Sequence, residues 1–211
     1  MQNVKENKLN VNEIFYSLQG EGKRTGEASL FIRLQGCKTK NACYSSGIQC
    51  DTEFESGEEM YLVDIVGELS NINYGNCEWI VWTGGEPLDQ LDEKILIYFK
   101  ELGYKQALET SGLHSPPDGF DWIVLSPKVA EHTILKKWKL LNGYHCDEVR
   151  WVRRAGQHIP NTKIKAREYY ISPHFDGITP DYNSIEWCVE MVKANPEWKL
   201  STQDHKYWSA R

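Results

Sequence analysis

Cys37, Cys43 and Cys50 stand within one short, non-repetitive stretch of this 211-residue chain. Thiolates suit iron–sulfur clusters or zinc rather than hard cations. Three of them hold three corners of an iron–sulfur cubane, or three positions of a zinc ion, and leave one metal site open to a small molecule. A zinc-stapled loop, or thiols that merely cluster, uses the same residues, and the spacing alone leaves these readings open. Further along comes Thr83-Gly84-Gly85-Glu86-Pro87. Paired glycines after a strand permit a close backbone approach, and Glu86-Pro87 can open a helix. An ordinary strand-to-helix turn has that composition too. Cys77, Cys146 and Cys188 read as buried thiols on strand or helix positions.

The elements that must position these groups are legible as short apolar runs. Strands are expected at Ser29–Leu34, Glu78–Trp82, Gln106–Glu109, Trp122–Leu125, Glu148–Val152, Glu168–Ile171 and Trp198–Ser201. Helical spacing marks Glu58–Ser70, through Leu62, Ile65, Val66 and Leu69. It also marks a helix carrying Leu88, Leu91, Ile95, Phe99 and Leu102 and stopped at Gly103. A third carries Ile185, Cys188, Val189 and Val192, capped by Asn183 or Ser184 and closed by Asn195-Pro196. The connection Thr110–Asp121 holds Gly112, Pro116, Pro117 and Gly119, which excludes a helix there. The fold class is therefore α/β: a parallel sheet curled into a partial, open β/α barrel with reduced helical content. In such sheets the ligand site lies beyond the C-terminal strand ends. Cys37, Thr83–Pro87, Thr110-Ser111 and Ser126-Pro127-Lys128 each follow a different expected strand.

A hydrophobic share of 40% and a charged share of 26% are globular values and suit one domain over residues 1–211. The net charge of −6 argues against a general nucleic-acid surface, which needs clustered Lys and Arg. No stretch has the apolar length of a membrane span, and the first residues lack a signal-peptide core, so a reducing cytoplasm is expected. There, unevenly spaced cysteines are metal ligands or buried thiols rather than disulfides. The eight tryptophans are scattered and read as packing, including at a subunit interface.

Longer segments carry a resemblance. Asn12–Gly22, Thr25-Gly26 and Phe31–Cys37 look like the opening of the 7-carboxy-7-deazaguanine synthases, radical S-adenosylmethionine enzymes of queuosine and 7-deazapurine biosynthesis. Cys50-Asp51-Thr52, Thr83–Pro87, Glu109-Thr110-Ser111-Gly112, Ser126-Pro127-Lys128 and the tail Gln203–Tyr207 match in order, so the likeness runs from Asn12 to Arg211. The Thr-Gly-Gly-Glu-Pro motif is common to many radical enzymes; the opening and tail are specific to this family. The cysteine loop departs from the pattern. The family places three residues and then two between its cysteines, whereas five and six stand here.

The resemblance implies a partial barrel of the radical S-adenosylmethionine type, with a cluster loop over residues 37–52 and a closing tail over 203–211. It implies a [4Fe–4S] cluster on Cys37, Cys43 and Cys50, and S-adenosylmethionine held near Gln49, Asp51, Gly85, Ser126, Pro127, Lys128, Ser172, Pro173, His174 and Phe175. The 5′-deoxyadenosyl radical so generated would take a hydrogen from 6-carboxy-5,6,7,8-tetrahydropterin. Ring contraction with loss of ammonia would then give 7-carboxy-7-deazaguanine. Leu18, Gln19, Gly20, Arg33, Thr83, His205 and the terminal Arg211 would hold the pterin, with the Arg33 fork on its carboxylate. Thr52 would bind Mg²⁺. A homodimer and a flavodoxin-like or other electron donor complete the expectation. A radical activase acting on a partner protein and a non-catalytic zinc or cluster module remain the alternatives; the activase would not need the opening and the tail.

Overall fold

The computed structural model describes residues 7–45, 50, 52–176 and 179–210. Its strands are β1 Lys8–Leu18, β2 Ala28–Leu34, β3 Glu58–Tyr61, β4 Trp79–Gly84, β5 Lys105–Thr110, β6 Trp122–Leu125, β7 Cys146–Arg153, β8 Ala166–Pro173, β9 Phe175–Asp176, β10 Thr179–Pro180 and β11 Lys199–Leu200. Its helices are α1 Lys40–Ser45, α2 Leu62–Asn71, α3 Glu93–Glu101, α4 Glu131–Lys137, α5 Tyr182–Ala194 and α6 Asp204–Tyr207. Nine strands form one open sheet in the order β11-β8-β7-β6-β5-β4-β2-β1-β3. Neighbours from β2 through β11 run parallel, whereas β1 runs antiparallel to both β2 and β3.

The alternation of side chains along each strand divides the molecule. Leu30, Ile32 and Leu34 of β2, with Ile80 and Trp82 of β4, pack outward against Leu62, Ile65 and Leu69 of α2 and Ile95 and Phe99 of α3. The intervening residues face inward. Phe31, Val81 and Ala107 meet Phe15 of β1 there, and the rings of Phe15 and Phe31 stack 5.0 Å apart across the antiparallel pair. Two positions further along the same strands stand Arg33, Thr83 and Glu109, so the inner face passes from apolar to polar toward the strand ends.

Three helix boundaries differ from the sequence reading. The expected helix over 58–70 begins only at Leu62, because Glu58–Tyr61 instead pairs with Lys8–Val11 as an edge strand. Leu88 and Leu91 fall outside α3: Pro87–Asp89 is a 3-10 turn, Glu86 accepts from Leu88 N, and Asp92 caps the true start by accepting from Ile95 N at 2.9 Å. In α5 the cap is Asp181, whose carboxylate accepts from both Ser184 N and Ser184 Oγ, rather than Asn183 or Ser184. Cys146 and Cys188 are buried as expected, but Cys77 lies half-buried in the turn before β4, its Sγ 3.2 Å from Ala28 O. Trp82, Trp138 and Trp198 are core residues, and of the eight tryptophans only Trp187 and Trp208 are strongly exposed. No helix among the described residues is long and apolar enough to cross a membrane.

Candidate active site

Two adjoining chambers open on the inner face of the sheet. The first, about 240 Å³, is lined by the sequence-expected Leu18, Gln19, Gly20, Arg33, Thr83 and His205, with Phe15, Phe31, Glu21, Glu109, Gln203 and Lys206. The second, about 260 Å³, is lined by Cys43, Cys50, Ser126, Lys128, Ser172, Pro173, His174 and Phe175, with Arg150 and Val152. Glu21, Thr52, Glu109 and Gln203 belong to both and form the wall between them.

In the first chamber Arg33 is held by the β1–β2 pairing, opposite Glu13 in register. Its Nε lies 3.7 Å from the Glu13 carboxylate, and its guanidinium stands 5.6 Å from the centre of the Phe15 ring. That Nε is buried without a hydrogen-bond partner, so the charge is oriented but not saturated. Gly20 is where the tail seats. A Cβ there would fall 2.1 Å from His205 Nδ1, and Asp204 N donates to Gly20 O at 2.9 Å. Gly22 N donates to Ser201 Oγ at 2.9 Å, so the opening segment and the tail are fastened twice.

The second chamber meets the cysteine loop. Its base is closed by Gly36 N donating to Phe54 O at 2.8 Å, and Asp89 accepts from Lys38 N at 3.1 Å. The enlarged first gap is taken up as helix: α1 begins at Lys40, Cys43 N donates to Thr39 O at 3.1 Å, and Cys43 faces the chamber. Burial raises the Cys43 thiol pKa, and Cys37 and Cys50 add to the rise, against the opposing charge of Lys128. Burial lowers the Lys128 ammonium, whose Nζ donates to Ser126 Oγ at 3.0 Å. Cys37 itself borders a separate cleft with Gly36, Lys40, Phe54 and Glu55, its Sγ 3.0 Å from Thr39 Oγ1. Ser172 Oγ is a further buried polar atom with no hydrogen-bond partner.

Gly85 and Pro127 are absent from the described walls of both chambers. A Cβ on Gly85 would fall 1.7 Å from Gly36 O, so this glycine meets the root of the cysteine loop. Gln49, Asp51 and Arg211 lie outside the described residues. Among the described residues no three His, Cys, Asp or Glu side chains converge as on a single metal ion.

Sequence reasoning missed several polar groups. Glu86, fully buried, accepts from Thr110 Oγ1 at 2.7 Å and Ser111 N at 2.9 Å, and so ties the end of β4 to that of β5. Glu21, Glu109, Glu148 and Arg150 form a charge cluster around the buried Arg150 and Glu148. The signal available was Glu148-Val149-Arg150, two charges at strand spacing inside an apolar run.

An open parallel half-barrel with a cysteine loop at a strand end and two joined chambers is the framework of a radical S-adenosylmethionine enzyme. A solved structure titled QueE from Escherichia coli has this fold, with a TM-score of 0.67 and 22% identity over 94% of this chain and 95% of its own. No family model matches the chain. Three curated relatives named 7-carboxy-7-deazaguanine synthase are similar over nearly their whole length. The one from Bacteroides thetaiotaomicron is 32% identical, covering 93% of this chain and 95% of the relative. Those from Burkholderia multivorans (31%; 93% and 96%) and Neisseria meningitidis (36%; 92% and 91%) agree. The chain belongs to the 7-carboxy-7-deazaguanine synthase family.

Proposed function

We propose that the enzyme contracts the ring of 6-carboxy-5,6,7,8-tetrahydropterin to 7-carboxy-7-deazaguanine with release of ammonia, in one domain with the cluster loop at 37–52 and the closing tail at 203–211. The observation that carries this reading is the first chamber. Its wall joins segments distant in the chain: Leu18–Gly20, Arg33, Thr83 and His205. In this reading Arg33, with its unsaturated Nε, takes the substrate carboxylate, the Phe15–Phe31 stack lies along the ring, and the tail excludes water.

The second chamber fits the group that the radical reaction needs. A zinc ion requires ligands converged on one point, whereas a cubane takes its thiolates at separate corners. Cys37 and Cys50 both act electrostatically on Cys43, and three thiolates of one loop can take three corners of a cubane. When bound, a [4Fe–4S] cluster supplies an electron to S-adenosylmethionine and so the radical that takes hydrogen from the substrate. Ser126, Lys128, Ser172, Pro173, His174 and Phe175 would hold that cofactor, with the unpartnered Ser172 Oγ available to it. Gly85 and Pro127 would act behind the wall, and Gln49, Asp51 and Arg211 keep their assigned parts from the resemblance. Thr52, bordering both chambers, would offer a hydroxyl to Mg²⁺ beside the substrate carboxylate.

A homodimer, a flavodoxin-like or other electron donor and a cytoplasmic location complete the reading. Six unpaired thiols suit a reducing compartment. The decisive experiment is anaerobic turnover of the reconstituted protein with the carboxypterin, scored by product mass. Cleavage of S-adenosylmethionine without the deazaguanine product would overturn the assignment and favour an activase.

A further inference from the structure

Beneath the wall shared by the two chambers, Arg150 of β7 is buried among three carboxyl groups. Its Nη1 donates to Glu21 of the opening loop, its Nη2 donates to both oxygens of Glu109 at 2.5 Å, and its Nε lies 2.8 Å from Glu148 on the same strand. Arg150 and Glu148 side chains are only 4% and 1% exposed. The cluster is braced on every side. Gln19 Nε2 donates to Glu109 Oε1 at 3.2 Å, and Lys23 N donates to Glu148 Oε2 at 3.0 Å. A Cβ at Gly22 would collide with Glu148 Oε1 at 1.8 Å, and Gly22 also has a φ of +70°. Glu21 and Glu109, meanwhile, face both chambers.

Crowding three carboxyl groups around one buried guanidinium leaves negative charge in excess, and the least costly remedy is a retained proton. Burial pushes the Glu109 carboxyl up to about 7; Arg150 opposes this, and Glu21 and Glu148 reinforce it. Burial lowers Arg150 in turn, but the attraction of Glu109, Glu148 and Glu21 outweighs it, so the guanidinium keeps its charge. Other charged or titratable groups around the pair are Lys128 after β6, Tyr170 on β8, Arg33, His205 and Lys206 across the first chamber, and Cys43, Cys50 and His174 across the second.

We propose that Arg150 is a positioning residue: it cross-links Glu21 and Glu109 into one carboxyl pair on the shared chamber wall, facing the substrate. Only its orientation toward the substrate rests on the first chamber being the pterin pocket. The cross-link unites three segments distant in sequence and ties the opening loop to β5 and β7.

The test is an infrared pH titration of the reconstituted enzyme, following the protonated-carboxyl stretch that Glu109→Gln removes. Removing a neighbouring carboxylate with Glu21→Gln should lower the midpoint. Removing the cation with Arg150→Gln should raise it, each by about one pH unit or more. Arg150→Lys, which keeps charge but not the fork, should leave the midpoint nearer wild type yet lower kcat with little change in KM. If Arg150→Gln does not fold, Glu21→Gln and Arg150→Lys still decide the matter. Midpoints that do not move, or move together in one direction, overturn the proposal, as does an unimpaired kcat in Arg150→Lys. If the wild type makes no product from the carboxypterin, the functional reading falls while the infrared titration still judges the cross-link.

Discussion

Gly85→Ala tests whether the glycine pair serves the cofactor or the framework. The added Cβ would lie 1.7 Å from Gly36 O, 2.4 Å from Gly36 C and 3.1 Å from Cys37 Cβ. Backbone atoms in a packed turn cannot rotate away, so Gly36 must retreat by roughly 1 Å or more. Two hydrogen bonds flank the contact: Gly85 N to Leu34 O and Glu86 N to Gly36 O, both 3.0 Å. Losing them costs about 1 kcal/mol each, and residual backbone strain adds about 1–3 kcal/mol. A total near 3–5 kcal/mol is a large part of ordinary stability and should lower Tm by roughly 6–20 °C. Because Gly36 leads directly into Cys37, anaerobically reconstituted Gly85→Ala should also hold less iron. Gly67→Ala is the control. It lies exposed in α2 with nothing within 4 Å of a new Cβ, so it should gain about 1 kcal/mol and raise Tm. The reasoning fails if Gly85→Ala keeps its Tm and iron and loses only cleavage of S-adenosylmethionine.

The remaining predictions concern the chamber walls. The Glu109 carboxyl titrates near 7 in the fold against 4.5 as its ordinary value. For a raised acid the stabilisation is complete below pH 4.5 and is lost as pH rises through 7. Glu109→Gln should abolish that loss, about 3 kcal/mol at most, seen as a flatter dependence of the urea midpoint between pH 5 and 8; an unchanged slope contradicts the buried-acid account. Arg33→Lys should raise KM for the carboxypterin by about 1–3 kcal/mol, with cluster content unaltered, and an unchanged KM removes Arg33 from the pocket. Gly20→Ala should unseat His205 and cost the bond from Asp204 N, weakening substrate binding by about 1 kcal/mol and speeding proteolysis of the tail. Equal proteolysis rates count against a docked tail.

What the sequence made legible followed from local physics. The run Ser29–Leu34 is buried almost throughout and its alternation survives in the fold, so both the strand and the inward direction of Arg33 were readable. β1 was not read as a strand, because the alternation that buries Leu9 and Val11 breaks at Glu13, where the register shifts. The short α1 and α6 lacked the length for a periodic signal, and α4 shows one fully buried residue, Ile134. Many residues that line the two chambers were named through resemblance, but the groups that hold them were not. Glu86 reads as a helix opener until Thr110 and Ser111 are seen to bond it. Arg150 gains its meaning from Glu21, which lies 129 residues away.

The two ends of the chain complete what an open sheet leaves unfinished. In a closed parallel barrel the strands wall the lumen on all sides, and the site collects at their C-terminal ends. Arg33, Thr83, Ser126 and the cysteine loop obey that rule here. Leu18–Glu21 do not. Because β1 is antiparallel, Leu18 pairs with Ala28 at the start of β2, so the opening loop enters from the opposite end. Gln19 then reaches Glu109, Glu21 reaches Arg150, and Gly22 lies against Glu148, which makes the loop a floor rather than a rim. The tail crosses this floor at Gly20 and Gly22. The specificity of the family opening and tail thus has a structural cause: the sheet alone cannot enclose a ligand, and these two segments supply the missing walls. Changes in either should therefore alter the first chamber while the cysteine loop and the second chamber's β8 wall, anchored on other strands, persist.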